Sequence, residues 1–138
     1  MNAVEIGGYR ELDLRGGFEY YKDEHIARLN AARCGIYHAL RCLNCRKILL
    51  PYYQCGTVQR FLARKGIEIE YYHIGYDFLP LIKNQDNSCS ILIVNYFGLI
   101  SEETLRNLAA ENKNVIIDQT QAFFQPNVEG AYSVYSPR

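Results

Sequence analysis

Apolar positions along the 138-residue chain fall into short blocks whose spacing switches between the period of a helix and that of a strand. From Asp23 the pattern turns helical, and between Ala31 and Leu43 the residues Ile36, Ala39, Leu40 and Leu43 recur at helical spacing. A short run from Lys47 to Leu50, closed by Pro51, reads as a strand. TVQRFLARK, Thr57 to Lys65, reads as a second helix, and Gly66 stops it as a glycine just past a helix end commonly does. IEIEYYHI, Ile67 to Ile74, alternates, which marks a half-exposed or edge strand. SILIVNY, residues 90–96, is continuously apolar and suits a strand covered on both faces. Ser101 opens a helix running to about Asn112, its hydroxyl placed to accept from the N–H of Thr104, while the acid of a capping box sits one residue early at Glu103. VIID, residues 115–118, and AYSVYS, residues 131–136, supply two further strands.

Strands alternating with helices through short connections predict an α/β fold: a three-layer sandwich with a mixed, mainly parallel sheet. Residues 1–28 form an N-terminal arm, extended and glycine-punctuated at first and then starting the first helix, and residues 29–138 form the body. Gly75 to Ser90, which contains the polar run KNQDNS, is expected to be a surface connection with one short turn. No repeat or low-complexity tract interrupts the order.

Within this frame Asp118 stands out, because it ends an apolar strand and a buried carboxylate is costly unless donors or a cation meet it. It either caps a turn through neighbouring backbone N–H groups or faces a crevice at the carboxyl end of the sheet, where open α/β folds hold ligands. A central strand favours the crevice. Gln121, three residues on, offers both a donor and an acceptor to the same space.

Charge and cysteine content narrow the classes. Fifteen basic and fifteen acidic residues cancel, with no basic block, so no nucleic-acid footprint is present. No apolar run approaches the ~20 residues that span a bilayer, and the opening MNAVE lacks the basic start and apolar core of a signal peptide. The expectation is a cytoplasmic chain with no membrane partner. Cys34, Cys42, Cys45, Cys55 and Cys89 are odd in number and irregularly spaced, unlike a disulfide framework. Cys42 and Cys45 form a C-x-x-C that, with Cys34 or Cys55, would make a zinc site. However, the pair falls where a helix ends, no second C-x-x-C follows, and no histidine stands at a ligand-like spacing. A thioredoxin-type pair would instead open a helix after a strand. Reduced thiols are expected and no metal ligand is assigned.

LNAARCGIYHAL, ILLPYYQCGTV, VNYFG, IIDQTQAFF and VYSPR, in that order, resemble the large domain of fold-type I pyridoxal-phosphate enzymes, most closely the DegT-like sugar aminotransferases. The resemblance runs from about Leu29 to Arg138, and its most specific element is the D-x-x-Q after an apolar strand. It implies a mixed, mainly parallel seven-stranded sheet between helices, a homodimer with its active site at the subunit boundary, and pyridoxal phosphate acting on a small amino or keto sugar. By the same resemblance Asp118 accepts the proton of the cofactor's pyridine nitrogen, and Gln121 hydrogen-bonds the ring oxygen. The phosphate falls at the helix N-terminus of Ala31-Ala32-Arg33, on the backbone of Ala32 and Arg33 and the Arg33 guanidinium, with Ser136 as a further contact. The usual hydroxyl residue is missing from that helix start. The stacking ring belongs among Tyr52, Tyr53 and Cys55, with Cys55 at the counted position.

The resemblance also implies a Schiff-base lysine just after Arg138, so no catalytic residue is assigned inside the chain, and a small C-terminal domain is expected to be absent. Lys22, Lys47, Lys65, Lys83 and Lys113 lie in loops or near element boundaries. On this reading the chain is the N-terminal part of an aminotransferase-like enzyme, is inactive alone, and is expected to bind pyridoxal phosphate weakly or not at all. The alternatives are a noncatalytic α/β domain that binds a small anion or a protein, and an unrelated α/β enzyme or metal domain that uses the cysteines.

Overall fold

The computed structural model describes residues 19–22, 25–82 and 88–137. The glycine-punctuated arm, the helical start at Asp23, most of KNQDNS and Arg138 lie outside the described residues. Helix α1 covers Ala32–Cys42, from an extended Ala31. The helical spacing upstream of Ala31 does not produce a helix over residues 26–30, where Leu29 stays 49% exposed. A short helix needs an apolar face to bury, and residues 26–30 bury little of theirs, only Ile26 being partly covered.

Strand β1 (Lys47–Pro51) leads to α2 (Gly56–Arg64), β2 (Glu68–Ile74) and a two-residue β3 (Pro80–Leu81). Strand β4 (Cys89–Val94), a 3-10 turn at Tyr96–Gly98, α3 (Glu102–Glu111), β5 (Val115–Asp118) and β6 (Tyr132–Val134) follow. These residues form one mixed sheet in the order β3-β2-β1-β4-β5-β6, parallel throughout except for β3, which runs antiparallel to β2. The expected surface connection thus contains β3, and the strand expected over 131–136 is confined to three residues. Pro51 belongs to β1, paired with Tyr72, rather than closing the strand from outside. The β4 ladder uses only Lys47 to Leu49 of β1, so the missing N–H of Pro51 deprives no partner.

Strand alternation divides the core into two layers. Ile48, Leu50, Leu92, Val94, Ile116 and Val134 face α1 and α2, where Ile36, Leu40, Val58 and Leu62 cover them. Leu49, Ile91, Ile93, Val115 and Ile117 face α3, where Leu105 and Ala109 cover them. Each large aliphatic side chain buried this way contributes about 1.5–3 kcal/mol. The Thr104 N–H donates to Ser101 Oγ at 3.1 Å, as the spacing predicts, and fixes the start of α3. Gly35 brings α1 close to β6, since a Cβ there would stand 2.9 Å from Val134 Cγ1.

In β2, exposed Glu68 and Glu70 alternate with partly buried Ile69 and Tyr71. On the outer side β3 pairs only with His73 and Ile74. Lys47 Nζ lies 2.7 Å from Glu70 and 3.7 Å from Glu68. Among the described residues no helix is long and apolar enough to cross a membrane.

Candidate functional site

Because the four parallel strand pairings run in one direction, the chain leaves β1, β4, β5 and β6 at the same end of the sheet. From β1 the chain moves outward to β2, whereas β4 lies on the other side of β1. The direction of winding therefore reverses between β1 and β4, and this is where α/β sheets open a ligand crevice. The turns there are Tyr52–Cys55, Asn95–Gly98 and 118–121.

Asp118 ends β5 and is 9% exposed. Its Oδ1 accepts from the Thr120 N–H at 2.9 Å, the turn-capping contact that the simpler sequence reading predicts. That bond does not offset burial, which pushes the carboxyl above the usual carboxylate range, and no cation among the described residues counters it. Tyr96 stands nearby; its hydroxyl is pushed up to about 12 by burial first, then by the Asp118 and Tyr53 charges. The hydroxyl donates to the Tyr53 carbonyl oxygen.

Gln121 is exposed, and its Oε1 accepts the Phe97 N–H at 3.1 Å. It thereby holds the turn after β4, where Phe97 takes a left-handed φ of 56°. Tyr53 is 59% exposed, with its ring centroid 5.4 Å from that of Tyr96. Tyr52 instead stacks on Tyr71 at 4.9 Å and meets His73 at 4.7 Å, on the β2 side. Cys55 is exposed at the N-cap of α2, its sulfur 3.1 Å from Thr57 Oγ1, and hydrogen bonding to Thr57 is the main pull lowering its thiol pKa.

A second hollow of about 710 Å³ lies at the outer edge of β6, lined by Ala32, Gly35 and His38 of α1, by Ser133 to Ser136, and by 19–21 and 25–31 of the entering chain. It gathers Ala32 and Ser136 but not Asp118, Gln121, Tyr53 or Cys55. Val134 links the two regions: it is the register partner of Asp118 and the contact of Gly35. Arg33 does not turn its side chain to this hollow, because its guanidinium lies 5.8 Å over the Phe61 ring. The Arg33 backbone N–H stands at the helix start, while its guanidinium is engaged with the Phe61 ring. The entering chain is tied to the loop after β5 through Tyr20, which donates to the Phe124 carbonyl at 3.0 Å, and Tyr21, which donates to those of Phe123 and Gln125.

Two site residues escape the sequence reading. Asn95 and Gln119 are fully buried, Asn95 Nδ2 donating to Gln119 Oε1 at 2.9 Å and Asn95 Oδ1 accepting the Ile100 N–H at 3.1 Å. Gln119 Nε2 is buried with no acceptor among the described residues. The available signal was alternation continued one step past each strand, which sets both amides on the α3 face.

The C-x-x-C pair diverges. Cys45 is buried, its sulfur 3.6 Å from the Leu43 carbonyl, while Cys42 is exposed. Among the described residues no group of three or more His, Cys, Asp or Glu side chains is placed to hold a metal ion. Comparison with protein-family models, curated proteins and solved structures gives no match to this chain.

Proposed function

We propose that this chain is the cofactor-binding portion of a pyridoxal-phosphate-dependent, aminotransferase-like enzyme of fold type I, similar to the DegT-like sugar aminotransferases, whose substrate is an amino or keto sugar or a similar small molecule. The observation that carries this reading is the Asp118 carboxylate, 9% exposed at the carboxyl end of a parallel strand, with no cation meeting it among the described residues. A protonated pyridine nitrogen fits that vacancy of charge, because it would favour the ionised carboxylate that burial disfavours. When bound, such a cofactor supplies an electron sink for substrate carbanion chemistry.

In this reading the chain's own residues bind and orient. Asp118 holds the proton on the ring nitrogen. Gln121, whose Oε1 takes the Phe97 N–H, turns its amide N–H to the ring oxygen. Tyr53 is the better placed ring to stack, since Tyr52 is engaged with Tyr71 and His73 and Cys55 has no ring. The backbone N–H groups of Ala32 and Arg33, with the Ser136 hydroxyl, meet the phosphate at the start of α1. A second reading, a noncatalytic domain that binds a small anion, is favoured by the hollow that holds Ala32 and Ser136 without Asp118.

Equilibrium dialysis of the chain against pyridoxal phosphate, with and without inorganic phosphate as competitor, separates the two. The first reading expects saturable binding that weakens at least about tenfold in Asp118→Asn, the scale of one lost hydrogen bond to a charged group. If phosphate alone binds as well as the cofactor and Asp118→Asn changes nothing, the anion-binding domain is the correct reading. Absence of binding by either compound removes the anion-binding reading.

A further inference from the structure

We propose that His38 and Cys42 on α1 form a two-ligand site for a borderline-soft divalent cation such as zinc. The proposal is independent of the cofactor reading. The two residues are four apart on a helix, hence neighbours on one face, and His38 Nε2 lies 3.7 Å from Cys42 Sγ. A tetrahedral ion bound at about 2.0–2.1 Å to a histidine nitrogen and about 2.3 Å to a thiolate sulfur separates those atoms by about 3.5–3.6 Å. The observed separation is therefore close to the bite of such an ion.

Three further features agree with a cation here. Both side chains are exposed, so the remaining coordination positions open to water. Cys42 is the last residue of α1, where the helix dipole presents its negative end. An imidazole and a thiolate select zinc or cobalt over magnesium or calcium, which take oxygen ligands. On binding, the Cys42 thiol releases its proton to solvent as the sulfur–metal bond forms, and His38 binds through neutral Nε2. Cys45 takes no part, because its sulfur is buried against the Leu43 carbonyl.

The test is a titration of the reduced chain with cobalt(II), read from the thiolate-to-cobalt charge-transfer absorption, followed by displacement with zinc. The expected result is a saturable band that zinc abolishes. Cys42→Ser should eliminate the band, His38→Ala should weaken cobalt binding at least about tenfold, and Cys55→Ser, at the other exposed thiol, should leave it intact. Circular dichroism of each variant confirms that α1 is retained. No band in the parent chain, a band that persists in Cys42→Ser, or one lost in Cys55→Ser would each overturn the proposal.

Discussion

At the amino end of the sheet Lys47 meets Glu70 and Glu68 at the surface, and the Glu70 hydrogen bond is the main influence raising its ammonium pKa. At the carboxyl end Asp118 is buried with one backbone donor and no cation among the described residues, and on the α3 face an amide pair leaves a donor of Gln119 unused among the described residues. Water screens the first group, and its one ammonium offsets part of the charge of its two carboxylates. The second group is shielded from water and incompletely satisfied, which is the condition under which a bound ligand gains most from the groups it meets. The contrast marks the carboxyl end as the candidate ligand end, whereas the hollow of about 710 Å³ lies off to the side at β6.

The strongest attack on this contrast is Asn95→Ala. It removes the acceptor of the Ile100 N–H and the only side-chain partner shown for Gln119, leaving buried polar groups unmet. The expected loss is about 3 kcal/mol, read from the urea midpoint. A loss below about 1 kcal/mol would show that the amide pair does not hold the carboxyl end together.

Asp118→Asn is expected to act in the opposite direction and with pH. Burial holds the folded carboxyl pKa above its unfolded value, so the folded chain retains a proton that the unfolded chain has released. This stability contribution is full below the unfolded pKa and is lost as pH rises through the folded one. The asparagine variant lacks that loss, and its thermal midpoint should exceed the parent's by roughly a few degrees at neutral pH but not at acid pH. Equal midpoints across the whole pH range would mean that Asp118 is not strained by burial. The smallest effect belongs to Lys47→Met, which should move the midpoint by no more than about one or two degrees and less in high salt.

Some of this was legible in the sequence because it is local. Ile36, Ala39 and Leu40 announce α1, the apolar run from Ser90 announces a strand covered on both faces, and Ser101 with Thr104 announces the start of α3. Asp118 at the end of VIID was visible as a carboxylate in an apolar place. What the sequence hid depends on distant register. Asn95 and Gln119 meet across 24 positions, and Gln121 finds Phe97 across the same separation. The β3 pairing occupies two residues and leaves no periodicity to read. His38 was overlooked for a different reason: cysteine spacing was read along the chain, whereas the helix surface makes Cys42 its neighbour.

The alternation of β2 has a consequence beyond packing. Among the described residues most of its outer edge has no partner strand, and an unpaired edge is a template onto which another chain can add a strand. Glu68 and Glu70 stand along that margin, exposed. Two copies approaching edge to edge would bring like charges together, so the carboxylates that Lys47 meets within one chain also discourage cross-chain strand addition.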